Sequence, residues 1–152
     1  MNSFSRSHEW TILADKDLKS AELLIKNPEL IENTCYHCQQ AVEKYLKGYL
    51  VMHGKNPPKK HDLDVLCHLC MNINEKFKQI RDYCSDLTIY AIETRYPWHI
   101  EVTKRDMYDA LSNAKIVRGF VRTIAPEMFF GEKTQHDPEQ NRGNLFAMIP
   151  MK

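Results

Sequence analysis

The sequence has few glycines, no long apolar run and no excess of charge of either sign. Five of its 152 residues are glycine, and Lys plus Arg number 21 against 20 for Asp plus Glu. This near balance excludes the overall basic field that draws many proteins to nucleic acid. No apolar stretch approaches the roughly 18 residues that span a bilayer. We therefore expect a soluble globular protein the size of one domain, with no membrane segment.

The opening residues and the cysteines indicate the compartment. The stretch "MNSFSRSHEW" lacks the apolar core of a secretion signal. The five cysteines are an odd number, and without a secretion signal they favour reduced thiols. We expect a cytoplasmic protein.

Alternating strand patterns are also missing, and apolar residues recur at helical spacing instead. The seven prolines divide the chain into lengths rich in helix formers, because proline interrupts helices. The predicted helices cover about 7 to 26, about 29 to 53, a short stretch from Leu63, about 76 to 94, and a last helix after Thr103. Gly54 is a natural C-terminal cap, and Thr103 with Asp106 forms a capping box. The sequence thus predicts an all-α, up-and-down bundle of four to five helices over residues 1–126.

Two Cys-x-x-Cys pairs raise the question of a metal site. Cys35 with Cys38, and Cys67 with Cys70, have the spacing of zinc ligands. All four, and Cys84 as well, fall on the predicted inward faces of helices, where cysteine packs as a small apolar residue. We interpret them as core residues and expect no metal or cofactor. A structural zinc site and redox chemistry are the alternatives.

The stretch "CYHCQQAVEKYLKGYLVMHGKNPPKKHDL" resembles the prokaryotic HEPN domain family (higher eukaryote and prokaryote nucleotide-binding). "DLKSAELL", 17–24, is similar to the family's first helix, and "TRYPW", 94–98, to its Arg-Tyr-Pro segment. The resemblance spans roughly 10 to 125. The family's central motif is a helix with Gln-Gln-Ala-x-Glu-Lys and a Leu-Lys shortly after, followed by a loop and His-Asp-Leu. The positions that match this motif are Gln39, Gln40, Ala41, Glu43, Lys44, Leu46, Lys47, His61, Asp62 and Leu63.

The resemblance implies a four- or five-helix bundle that is often a homodimer. It also implies a cytoplasmic prokaryotic setting, frequently beside a small nucleotidyltransferase in a toxin–antitoxin pair. Some members are metal-independent ribonucleases built on Arg-x(4–6)-His, whereas others are described as nucleotide-binding or accessory modules.

Arg95 and His99 are the candidate catalytic residues. Metal-independent RNA cleavage needs a cation for the phosphate, which arginine supplies, and a proton-transfer group that titrates near neutrality, which histidine supplies. Three residues separate the pair rather than four to six, and Pro97 between them favours an extended conformation at Tyr96. The spacing therefore departs from the family's ribonuclease pattern. In the structural alternative, Arg95 caps its helix or pairs with an inward carboxylate such as Asp17.

A second candidate surface is nucleotide-binding. Cations near the start of a helix can receive a phosphate, because free backbone N–H groups and the helix dipole favour anions there. An aromatic ring beside them can stack on a base. The alternatives are a solvated loop in which Asp62 caps the next helix, and a dimer interface for the aromatic residues. The candidate nucleotide-binding residues are Lys47, Lys59, Lys60, His61 and Tyr96.

The function hypothesis is a HEPN-type nucleotide-binding or accessory module that acts with a nucleotidyltransferase partner, in a toxin–antitoxin system. The alternatives are an RNA endonuclease that uses Arg95 and His99, and a stand-alone nucleotide sensor. Whether the protein is an enzyme stays open. We expect a homodimer with a nucleotide or RNA ligand.

Residues 127–152 are predicted to form a polar linker and an apolar C-terminal tail. The segment "GEKTQHDPEQNRGN", 131–144, is polar, and "LFAMIPM", 145–151, is apolar. Terminal segments usually fray unless they are tied down. Burial of Leu145, Phe146, Met148 and Ile149 contributes roughly 1.5 to 3 kcal/mol for each side chain. We expect the tail to dock on its own bundle or on a second chain.

Overall fold

The computed structural model describes residues 2–91 and 101–130, and all regular structure in these ranges is helical. This confirms the all-α bundle predicted from the sequence. Three short 3₁₀ segments, Pro28–Leu30, Glu75–Ile80 and Thr88–Ala91, accompany the α-helices. The α-helices are α1 Ser3–Leu24, α2 Ile31–Met52, α3 Leu63–Ile73, α4 Arg81–Leu87, α5 Lys104–Ile124 and α6 Glu127–Phe130.

Helix α2 lies at the centre of the bundle, and α1 runs antiparallel to it. Near one end of this pair, the hydroxyl of Ser7 donates to the carbonyl oxygen of Gly48 at 2.8 Å. A Cβ at Gly48 would lie 2.9 Å from Met128 Cε and 3.0 Å from Trp10 Cβ. Such contacts are too close for any residue but glycine without movement of the neighbours. Gly48 therefore lets α1 and α6 pack directly on α2.

The helix ends follow local capping rules. Asn2 caps α1 by accepting a hydrogen bond from the Ser5 N–H at 2.9 Å, so this helix begins before the predicted residue 7. Gly54 has a φ of 73°, the left-handed conformation expected after the end of α2. Thr103 and Asp106 form the reciprocal capping box at α5. The predicted caps at Gly54 and Thr103 are confirmed.

The stretch predicted as one helix over 76 to 94 differs from that prediction. The described part consists of Glu75–Ile80 as 3₁₀ helix, then α4, then Thr88–Ala91 as 3₁₀ helix. Phe77 and Ile80 are both buried, and their spacing of three matches the 3₁₀ turn. Asn74, in extended conformation, accepts from the Lys76 N–H and begins this tighter turn. The predicted helix is thus confirmed as helical through Ala91, as a mixture of 3₁₀ and α-helix; residues 92–94 lie outside the described residues.

All five cysteines are buried with no exposed surface, which confirms their assignment to the core. Burial raises the pKa of the Cys35 thiol to about 12 and raises the pKa values of Cys38 and Cys70. The hydrogen bond between the thiols of Cys84 and Cys67 raises the pKa of Cys84 and lowers that of Cys67. Within the described ranges, no three His, Cys, Asp or Glu side chains are grouped so that they could hold a metal ion.

The cysteines provide the first testable prediction. At pH 8 the folded protein should react with fewer than one equivalent of Ellman's reagent per chain, because buried thiols with raised pKa values hold little thiolate. Cys67 has a lowered pKa but is equally inaccessible. After denaturation in guanidinium chloride, all five thiols should react. Rapid modification of even one thiol in the folded protein would contradict this packing.

The packed helical part of the chain extends beyond residue 126. In α6, Met128 and Phe129 are buried, and the backbone oxygen of Met128 lies 2.9 Å from His8 Nδ1. The expected linker and tail lie outside the described residues from 131 onward, so docking of the tail stays a prediction. Among the helices that the structure describes, none has the length and apolar character to cross a membrane.

Candidate functional site

One face of α2 carries a buried row of polar side chains. Gln39, Glu43 and Lys47 follow one another at intervals of four residues, and their exposed fractions are 0%, 4% and 7%. Residues at this spacing lie on one face of a helix. Burying a charge is costly unless it is paired and hydrogen-bonded. The row must therefore find its partners within the protein.

Glu43 is the centre of this arrangement. Its Oε1 accepts from His61 Nδ1 at 2.9 Å and from Gln39 Nε2 at 3.2 Å, and its Oε2 accepts from Lys47 Nζ at 3.2 Å. Gln39 Nε2 also donates to the backbone oxygen of His61 at 2.9 Å. We call these four residues the Glu43 cluster. It ties the end of the loop between α2 and α3 to α2 through both the side chain and the backbone of His61.

The structure places Lys47 behind Glu43 rather than at an open surface. Its ammonium pairs with Glu43 and lies 6.0 Å from the centre of the Trp10 ring. The carboxylate and the ring face both attract the buried ammonium. Lys47 is therefore a buried partner of Glu43, and its contact with a nucleotide stays a prediction.

A cavity of about 430 Å³ lies beside the end of this loop. Its volume falls within the range of small-molecule sites. The hydroxyl oxygen of Thr88 accepts from the Leu63 N–H at 2.9 Å. The imidazole of His61 is 60% exposed, and Nδ1 is the ring nitrogen that is bonded to Glu43. This His61 cavity is lined by Lys60, His61, Asp62, Val65, Thr88 and Ala91.

The N-terminus of α3 is already occupied by a side chain. Asp62 caps this helix by accepting from the Asp64 N–H at 2.9 Å and the Val65 N–H at 3.4 Å, as expected in the capping alternative. These N–H groups are therefore not free to receive a phosphate. In the His61 cavity, the side chains that could meet an anion are those of Lys60 and His61.

The remaining candidate residues divide into two groups. Lys59 is exposed on the same loop but does not line the cavity. Arg95, Tyr96 and His99 lie outside the described residues. Arg95 follows Ala91, the last residue that lines the cavity, by four positions in the chain.

Asp17 has partners other than the suggested Arg95. Its Oδ1 accepts from His37 Nδ1 at 2.8 Å, and its Oδ2 pairs with Lys44. The inward position of Asp17 and the need for a polar partner could be read from the sequence. The identity of those partners depends on how α1 crosses α2.

Two features of the site were missed from the sequence. Glu43 and Gln39 were recognised as motif residues but not as the groups that position His61. Gln39, Glu43 and Lys47 are spaced four residues apart, and this spacing could have indicated that the three side chains share one face of the helix. Thr88 and Val65 belong to other elements, and no local pattern connects them to the loop. The site therefore combines the motif residues with residues of other elements, and only the tertiary structure brings them together.

The comparisons with known proteins concern the family and the fold. The family model for the HEPN domain matches residues 7–124. The chain belongs to the HEPN domain family. The crystal structure of TT1696 from Thermus thermophilus is similar, with a TM-score of 0.67 and 24% sequence identity over 78% of this chain and 98% of that one. No curated protein sequence matches the chain. Membership of the HEPN family supports a module of the nucleotide-related or ribonuclease type.

Proposed function

We propose that this HEPN protein is a nucleotide-binding accessory module that acts with a nucleotidyltransferase partner, in a toxin–antitoxin system. The nucleotide occupies the His61 cavity. The observation that carries the proposal is the Glu43 cluster, which holds His61 at the wall of that cavity. A buried carboxylate that orients an exposed imidazole beside a cavity is typical of a binding site rather than of a solvated loop.

The lining of the cavity suits the parts of a nucleotide. Lys60 supplies donors for phosphate oxygens, and His61 adds a donor at Nε2 when both of its ring nitrogens are protonated. Val65 and Ala91 offer an apolar surface to the base or ribose, and the Thr88 hydroxyl can donate to either. Tyr96, the aromatic residue expected from the sequence to stack on the base, lies outside the described residues. The preorganised imidazole lowers the ordering cost of binding, since the Glu43 cluster restricts it before the ligand arrives.

Calorimetry tests the nucleotide part of the proposal. We expect saturable binding of ATP or GTP to the purified protein, weakened about three- to tenfold in Lys60→Ala because one charge-assisted hydrogen bond is lost. Lys16→Ala, which removes an exposed lysine of α1 far along the chain from the loop, is the matched control and should bind like the wild type. Absence of heat at millimolar nucleotide, or equal weakening in both variants, would contradict the proposal.

The partner is tested separately. The family resemblance motivates a nucleotidyltransferase encoded beside this gene and a homodimeric state for this chain. Co-expression with the neighbouring gene product should yield a complex on size-exclusion chromatography. If no nucleotidyltransferase or other toxin–antitoxin gene adjoins this one, the accessory role loses its support even where nucleotide binding is observed.

A further inference from the structure

A second cavity of about 440 Å³ lies at the other end of the same loop. It is more enclosed than the His61 cavity and shares no lining residue with it. Its walls come from the end of α2, the start of the loop and the outer part of α3. The lining residues are Leu50, Lys55, Asn56, Leu69, Asn72 and Ile73, and we call it the Lys55 cavity. Nothing in the proposed function uses it.

Half of this lining is aliphatic. Leu50 is only 2% exposed and belongs to the core. Leu69 and Ile73 are separated by one helical turn on α3 and pack against the same core. Their outer surfaces therefore form an apolar wall backed by rigid structure. Such a wall favours the apolar body of a small molecule, because contact removes apolar surface from water on both sides.

The polar part of the lining has a single sign of charge. Lys55 is the one ionisable residue among the described residues of the lining, and Asn56 and Asn72 contribute carboxamides. The left-handed Gly54 turns the chain, and the Lys55 N–H donates to the Leu50 oxygen at 3.0 Å. The backbone of Lys55 is thus held by the capping structure of α2 rather than by a free loop. One ammonium and two amide groups at the edge of an apolar wall are complementary to one anionic group on an apolar body.

We propose that the Lys55 cavity binds a small organic anion with an apolar body and one carboxylate or sulfonate group. The same loop contributes Lys55 to this cavity and Lys60 to the His61 cavity, and the two cavities share no lining residue.

The test uses 8-anilinonaphthalene-1-sulfonate and its uncharged analogue N-phenyl-1-naphthylamine as fluorescent probes. The full-length protein should bind one equivalent of the sulfonate. Lys55→Met should weaken that binding about tenfold, because it removes the charge and keeps an apolar stem. The uncharged probe should bind both proteins equally. Leu69→Trp, which fills the cavity, should abolish binding of both probes.

Lys16→Met is the matched control, because it removes an exposed lysine that lines neither cavity. It should leave the sulfonate affinity unchanged, and the melting temperatures of both lysine variants should match the wild type. Absence of saturable binding would overturn the proposal, as would equal loss in Lys55→Met and Lys16→Met. Tighter sulfonate binding in the full-length Phe146→Asp variant would show that the chain's own tail fills the cavity, and would also overturn it. These outcomes are independent of ATP binding at the His61 cavity.

Discussion

Replacing Asp15 by alanine should lower the free energy of unfolding by about 2–4 kcal/mol, because it leaves a buried cation and a buried hydroxyl without their partner. Asp15 Oδ1 accepts from Arg118 Nε at 3.0 Å, and its Oδ2 lies 3.5 Å from Arg118 Nη2. The buried hydroxyl of Tyr45 also donates to Asp15. The Arg118 side chain is 7% exposed and also lies over the Phe129 ring. One carboxylate thus links α1, α2 and α5.

Urea denaturation of Asp15→Ala measures this effect, with Asp109→Ala as the matched control. Asp109 forms an ion pair with Arg105 at 3.9 Å, and these side chains are 64% and 87% exposed. An exposed pair of this kind contributes little, so the control should change the free energy of unfolding by less than about 0.5 kcal/mol. Similar small losses in both variants would show that the Asp15 arrangement does not hold the three helices together.

Replacing Glu43 by alanine should cost about 3–5 kcal/mol, the range for breaking a buried ion pair. The variant leaves the buried ammonium of Lys47 unpaired and removes the acceptor of His61 and Gln39. Glu43→Gln keeps one oxygen acceptor and should cost less. In Glu43→Ala, His61 is held only through its backbone, so amide hydrogen exchange in residues 55–61 should accelerate, and it should accelerate less in Glu43→Gln.

Glu9→Ala is the control for Glu43, since Glu9 lies exposed on α1. It should leave both the stability and the exchange rates of the loop near wild-type values. If Glu43→Ala has wild-type stability, or if the loop exchanges no faster, then the Glu43 cluster does not fix His61. Nucleotide binding would in that case need another explanation.

The features that were predictable from the sequence depend on neighbours in the chain. The capping box at Thr103 and Asp106 and the left-handed cap at Gly54 are local, since each involves a few consecutive residues. The burial of the cysteines follows from helical spacing, because a residue on the apolar face of a helix is inward in any bundle. The sequence did not distinguish the mixed helix around Phe77 from a helix that is α-helical throughout, because a spacing of three suits both 3₁₀ and α-helices.

The features that were not predictable depend on partners far away in the chain. Asp15 and Arg118 are 103 positions apart, and no periodicity connects them. Lys47 was expected to contact a nucleotide, and the sequence does not indicate its burial, since lysine is rarely buried. Its burial becomes favourable only once Glu43 and the Trp10 ring are placed around it. In the same way, His61 belonged to a loop rich in cations, and only the tertiary structure distinguishes it from Lys59 by its bond to Glu43.

The most direct test of the proposed function is to record the amide chemical shifts of the isotope-labelled protein during a titration with ATP. The account predicts saturable shifts concentrated at the His61 cavity, at Lys60, His61, Val65, Thr88 and Ala91. A shallow cavity of about 470 Å³ serves as an internal control, and the amide chemical shifts of its lining residues should not change. These residues are Glu75, Lys76, Lys78 and Gln79. Shifts confined to that control cavity, or no saturable shift at millimolar ATP, would contradict the account.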